Sequence, residues 1–290
     1  EMKQNKIAGI VRGNCYSPNH VGNDAAVFNE TIRHLELAGY EVTTYTEEDV
    51  LNREVLEPVI FTMARSKEVV EKLKEYENRG AVVVNSGYGI SNCTREQMTR
   101  LLVDNNIPHP RSIITPTKDH HIAQRLKEEG MDNCWIKRGD FHAIHREDVT
   151  YVRHIEEAEG ILSEYALRGI PNAVINEHLV GDLVKFYGVA GSDFFYWFYP
   201  FNMNHSKFGH EQINGKATGI AFSVEDMHAI CERSAQVLKV KIYGGDCIIS
   251  PEGEIRIIDF NDWPSFAPCR DQAAPHIARC IIESGKDLLA

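Results

Sequence analysis

Ile257-Ile258-Asp259-Phe260-Asn261-Asp262-Trp263-Pro264 is an apolar strand interrupted by polar residues at every second position. Side chains two apart on a strand share a face, so Asp259 and Asn261 project together. Ile258 and Phe260 are then expected in the core behind them. Asp246 lies thirteen residues before Asp259, and Ser250-Pro251-Glu252-Gly253 between them has the composition of a turn. A hairpin over this segment brings Asp246, at the start of the preceding strand, beside Asp259 and Asn261. Two carboxylates and an amide oxygen form a hard oxygen shell suited to Mg²⁺. The plainer alternative is a set of strand-end polar residues capping a turn.

The rest of the 290-residue chain is compatible with such a site. At 43% hydrophobic and 25% charged it can bury two or three packed lobes. The net charge of −11 is wrong for a partner whose main feature is a nucleic-acid backbone, although one cleft can still be basic. Seven cysteines without a CxxC pair read as reduced thiols, and a cytoplasmic location is expected. No apolar run reaches the ~20 residues that span a bilayer, and no basic-then-apolar leader opens the chain, so neither membrane insertion nor secretion is expected.

Residues 1–93 alternate short apolar runs with helical patterns, which argues for a doubly wound α/β lobe. Ile7–Val11 and Ala81–Val84 read as strands. Phe28, Ile32 and Leu35 mark one helix, and Val69, Leu73 and Tyr76 another. Ligands of such lobes collect beyond the strand ends, here Arg12–His20 and Asn85–Ser91. A helix over Thr94–Asn105 is followed by His109-Pro110 and Thr115-Pro116, which read as an extended connector. A compact α+β segment runs to about residue 180. Residues 181–290 add strands at Lys185–Ala190 and Phe194–Tyr199, a helix over Val224–Lys239, and the hairpin above. The aromatic Phe194–Tyr199 run reads as a strand buried on both faces or as a homodimer contact.

Asp246 followed by Asp259-Phe260-Asn261 and Pro264 resembles the C-terminal metal motif of the ATP-grasp superfamily, of the glutathione synthetase and ribosomal-protein glutamate ligase type. Other landmarks stand in the superfamily's order over residues 85–270. Thr94-Arg95 with Pro108 resembles its helix and Ile-Pro stop. Trp135-Ile136-Lys137 resembles the strand whose lysine reaches the nucleotide phosphates. Val174–Gly181 resembles the hinge that frames adenine, with Asn176, Glu177 and Leu179 as the contacts. Asp182 stands near the ribose acid, and Lys185 where a cation meets the transferred phosphate. The resemblance implies an α/β N-terminal lobe followed by an α+β ATP-grasp fold of two subdomains, residues 94–180 and 181–290. It implies ATP and Mg²⁺ as cofactors, with small-molecule or peptide substrates joined through an acyl phosphate. The alternatives are a grasp-fold kinase acting on a hydroxyl and a nucleotide-binding member without turnover.

The chain departs from the pattern at two places. Arg95 replaces a usual lysine, and a guanidinium still serves a phosphate. The glycine-rich flap is replaced by Arg138-Gly139-Asp140-Phe141-His142-Ala143-Ile144-His145-Arg146, with one glycine. Such a flap reaches phosphates through side chains, His142 first, or remains a surface loop. Lys137 is expected to stay charged across the working pH range. Asn14, Tyr16, Asn19, Ser86, Tyr88 and Arg270 are the candidates for a substrate pocket, Arg270 because a cleft arginine suits a carboxylate or phosphate. His205 and His210 form no zinc pattern. A kinase for a polyphosphate would carry several cations in the first-lobe loops, where Arg12 stands alone, and this favours the ligase.

Overall fold

A computed structural model describes residues 3–140, 148–200 and 215–290. It contains three four-stranded sheets. The first, in the order β2-β1-β3-β4, is parallel and is built from Lys6–Ile10 (β1), Glu41–Tyr45 (β2), Val59–Thr62 (β3) and Val82–Val84 (β4). Ile7, Val59, Phe61 and Val84 face one core, and Ala8, Ile10, Ile60 and Val83 face the other. Both faces are buried, which is why these strands read as continuous apolar runs. Gly9 is required on β1, because a Cβ there would sit 2.5 Å from the Phe61 ring.

Helices α1 (Val21–Leu37), α2 (Glu47–Asn52) and α3 (Lys67–Asn78) flank this sheet, and α4 (Gly87–Asn92) follows β4. Val50 of α2 and Val69 and Leu73 of α3 cover one face, and Val27, Phe28 and Leu35 of α1 the other. The last helix of the chain, unassigned in the sequence, also belongs here. It spans Arg270–Ser284 and places Ala273, Ile277 and Ile281 in the α1 core.

The second sheet, β5-β8-β6-β7, is antiparallel and comprises Ser112–Pro116 (β5), Cys134–Arg138 (β6), Val149–Val152 (β7) and Asn172–Glu177 (β8). Helices α6 (Ile122–Glu128) and α7 (Ala158–Leu167) cover it. The Thr115-Pro116 segment is therefore a strand and not a connector. Its proline, lacking an N–H, is tolerated because β5 is the sheet edge and Pro116 its last residue.

The third sheet, β10-β9-β11-β12, is antiparallel: Asp182–Val189 (β9), Phe195–Phe198 (β10), Ile242–Ile249 (β11) and Ile255–Asp262 (β12). Helix α8 (Val224–Leu238) packs under it through Met227, Cys231, Ala235 and Leu238, while Val224 is exposed. Met98 and Leu102 of α5 (Arg95–Asp104) join the same core. Strand β10 is an edge with only Phe198 fully buried; Phe194 and Tyr196 pack against the core that holds α1, and Phe195 and Trp197 against the α8 core, so the aromatic run is partly covered on both faces. The final helix is α9 (Arg270–Ser284).

Candidate active site

The open face of the third sheet carries a row of charges. Lys185 on β9, Asp246 on β11 and Asp259 on β12 are direct register partners, and the Lys185 ammonium lies 2.9 Å from Asp246 Oδ1. Asp246 is mid-strand, not at the start of β11. Asn261 pairs with Gly244 and lines the same cavity as Asp246. Gly245 makes the close approach possible, since a Cβ there would stand 2.2 Å from the Asp259 carbonyl oxygen.

A register shift corrects one expectation about the β12 stretch. Asp246 pairs with Asp259 but Cys247 pairs with Ile257, which leaves Ile258 as an extra residue in β12. Phe260 enters the α8 core as expected, whereas Ile258 packs with Leu183 and Ile248 on the site face.

Arg95 opens α5 and is buried, with Nη1 donating to Asp259 Oδ1 at 3.1 Å. Lys137, near the end of β6, is 3% exposed. Burial first and then the Arg95 charge push its pKa down to about 7, against the opposing pull of Asp259 and Asp246. Lys137 therefore titrates near neutrality, contrary to the expectation that it stays charged. His109 was missed in the sequence. Its Nδ1 lies 2.6 Å from the Ile257 carbonyl oxygen, which fixes the proton on Nδ1, and burial lowers its pKa to about 3. Pro108 and Pro110 on either side were the available signal that this residue is held rigidly.

Between the second and third sheets lies a slot lined by Trp135, Lys137, His178, Leu179, Ile248 and Ile258, among others. The side chains of Asn176 and Glu177 are committed elsewhere. Asn176 Nδ2 donates to Ser112 Oγ at 2.7 Å, and the Glu177 carboxylate accepts from Arg111 N and Nε at 2.9 and 3.0 Å. Their backbones are engaged as well: both residues pair within the β8 ladders, and the Glu177 N–H donates to the Arg111 carbonyl oxygen at 3.0 Å. Among the described residues the Leu179 N–H donates to no backbone carbonyl. Asp182 is engaged with a loop in the ligand-free protein. Its buried carboxylate accepts from the N–H groups of Thr218, Gly219 and Ile220 at 2.9, 3.0 and 2.8 Å, so both oxygens secure that loop and are not free for a ribose.

Across the row of charges, the N-terminal lobe closes a cavity of about 230 Å³ lined by Arg12, His20, Asn23, Asp24 and Arg65 opposite Lys185, Asp246 and Asn261. Arg12 is thus not alone, because Arg65 joins it from the β3–α3 loop. Both are tied into the protein: Arg12 donates to Met63 O and Trp263 O at 2.9 Å, and Arg65 to Asp262 O at 3.1 Å. Burial, then the like charge of Arg65, lowers the Arg12 pKa to about 10. Arg270 does not line this cavity but donates to Oδ1 of Asn23, which does, at 3.1 Å. Asn14 lines an adjoining cavity. Ser86 caps α4 and Tyr88 bonds Asn78, so neither is brought to the site. His142, His145, Arg146, His205 and His210 lie outside the described residues.

Asp246 and Asp259, directly opposed across two strands, with the Asn261 amide on the same face, supply hard oxygen donors of the kind Mg²⁺ prefers. The residues fit such an ion by donor chemistry.

By sequence, no known family profile and no curated protein matches the chain. By structure it is similar to the D-alanine-D-alanine ligase from Coxiella burnetii, at a TM-score of 0.70 and 12% identity, over 97% of this chain and 95% of that one. The D-alanine-D-alanine ligase from Bacillus anthracis complexed with ATP gives 0.67 and 14%, over 97% of both chains. The ATP-grasp ligase PsnB, complexed with precursor peptide PsnA2 and AMPPNP, gives 0.62 and 15%, over 98% of this chain and all of that one. The fold is that of the ATP-grasp ligases, over 97 to 98% of the chain.

Proposed function

We propose that the protein is an ATP- and Mg²⁺-dependent ligase that joins a carboxylate to an amine through an acyl phosphate, acting in the cytoplasm. The row Lys185–Asp246–Asp259 carries this reading. The cation and carboxylates stand between the narrow slot beside the hinge and the cavity walled by Arg12 and Arg65. The ATP-grasp fold, in ligases solved with ATP and with AMPPNP, supports it.

In this reading adenine lies in the slot against the hinge, with the Leu179 N–H, which meets no backbone carbonyl among the described residues, as a donor and Ile258, Leu183 and Ile248 as the apolar floor. Lys137 and Arg95 neutralise phosphate oxygens from the slot side, and Lys185 does so at the junction. Asp246, Asp259 and Asn261 would hold Mg²⁺, which when bound offsets charge on the phosphates. A substrate carboxylate oxygen attacks the γ-phosphorus, the bond to the β–γ bridging oxygen breaks, and ADP leaves. A neutral amine then attacks the acyl carbon, phosphate departs, and the amine proton is lost to solvent. No protein nucleophile is needed; holding the partners in line within about 230 Å³ accounts for most of the second step.

The test is ADP release measured over pools of carboxylic acids, with and without pooled amines. The ligase reading expects release that requires an acid and a product of their combined mass. Release that requires a hydroxyl compound instead would make the protein a kinase. Asp259→Asn and Asn261→Ala should each abolish turnover while leaving the folded state intact.

A further inference from the structure

Beyond Asn261 the chain leaves β12 through Asp262 and Trp263, and both of their carbonyls are held from the opposite lobe. Arg65 Nη2 donates to Asp262 O at 3.1 Å, and Arg12 Nη2 to Trp263 O at 2.9 Å. The Asp262 carboxylate, fully buried, lies 3.6 Å from Arg65 and 3.9 Å from Arg12. Trp263 has a φ of +36°, a region that strains any non-glycine residue, and its ring stacks on Phe61 in the N-terminal core, centroids 5.9 Å apart. The two loops that bring in the arginines are themselves joined. Glu47 accepts from the N–H groups of Gly13, Arg65 and Ser66 at 2.6, 3.0 and 2.7 Å.

A hairpin does not require this. Strand β11 already pairs Gly244 with Asn261 and Tyr243 with Asp262. Burying two guanidinium groups and a carboxylate is costly and adds little stability over an apolar contact. What the arrangement achieves is a fixed direction for the one or two residues that follow the Asn261 amide.

We infer that Arg12 and Arg65 are positioning residues for the metal site: by gripping the Asp262 and Trp263 carbonyls they hold the Asn261 amide toward Asp246 and Asp259. The inference rests on the metal reading above. It makes the wall of the substrate cavity and the end of the metal strand a single mechanical unit, since Arg12, Arg65 and Asn261 line the same cavity.

The experiment is Mn²⁺ binding, followed by electron paramagnetic resonance, with a saturating non-hydrolysable ATP analogue. Arg65→Gln should weaken Mn²⁺ by about tenfold, as expected for a group that orients a ligand from behind, with metal-free analogue binding within about twofold of wild type. Asn261→Ala should weaken Mn²⁺ at least as much. Adding Arg65→Gln to it should cost nothing further, because Arg65 acts through Asn261. A merely structural arginine would give additive losses, and that result, or unchanged Mn²⁺ affinity in Arg65→Gln, overturns the inference while leaving the ligase reading standing. If Asn261→Ala itself leaves Mn²⁺ binding intact, the metal assignment fails and the inference with it. Should Arg65→Gln not fold, Arg65→Lys keeps the charge beside Asp262 and is read by the same criteria.

Discussion

The guanidinium of Arg95, at the first turn of α5, donates to the carboxylate of Asp259, on β12, over 3.1 Å. The cation proposed for phosphate and the carboxylate proposed for the metal thus neutralise each other in the ligand-free protein. Arg95 is 5% exposed and the Asp259 side chain 22%, so the pair is only partly screened by water. Removing the arginine leaves a half-buried carboxylate with less compensation. Arg95→Ala should lose about 2 kcal/mol of stability, read from the denaturant midpoint, and should weaken ATP. A variant as stable as wild type would show that the pair carries no weight.

Lys137 gives a pH signature. Its folded pKa, about 7, is below the value of 10.5 for an unperturbed lysine. The unfolded chain therefore holds more protons between these values, and stability should rise with pH across that window. Lys137→Met, which has no charge to bury, should lose this slope. Phosphate favours the ammonium, so ATP affinity should fall as pH climbs above about 7, and binding near pH 8 should take up a proton. Calorimetry in two buffers of different ionisation enthalpy measures that uptake. Equal uptake in wild type and Lys137→Met would exclude Lys137 as the source.

At the hinge, backbone and side chain separate. Leu179→Pro removes the N–H assigned to adenine and should weaken ATP by about tenfold, a lost hydrogen bond in a dry slot. Glu177→Ala breaks contacts to Arg111 and Arg256, both largely solvent-facing, and should change ATP affinity by no more than about twofold. Equal losses would place the base elsewhere.

Asp182 is read as a loop clamp. Asp182→Ala strips the acceptor from three N–H groups and should cost about 2 kcal/mol of stability. ATP affinity measured well below the melting temperature should remain within about twofold. A tenfold loss there would return Asp182 to the ribose.

The strand Ile257–Asp262 was legible because period two and the contrast of carboxylates with apolar neighbours survive in one short stretch. Lys137, Arg95 and Lys185 were named only through the resemblance to the ATP-grasp superfamily; Arg95 and Lys185 contact Asp259 and Asp246 in the fold. What stayed hidden depends on contacts between distant segments. The register shift that turns Ile258 away from the α8 core and onto the site face is a property of two strands together, not of either alone. Arg65 carries no local pattern, and only the fold brings it to Asp262, 197 residues away. The loop held by Asp182 could not be read from the sequence, because an acid near a hinge looks the same whether it meets a ribose or a loop of N–H groups.

The most direct test of the account replaces the native amine with hydroxylamine. Pooled carboxylic acids, ATP and Mg²⁺ are incubated with the protein, and hydroxamates are sought by mass spectrometry. An activated carboxylate reacts with hydroxylamine whatever the natural acceptor, so the account predicts a hydroxamate formed in step with ADP and absent in Asp259→Asn. ADP formed with a phosphorylated hydroxyl compound, and no hydroxamate from any acid, would contradict it.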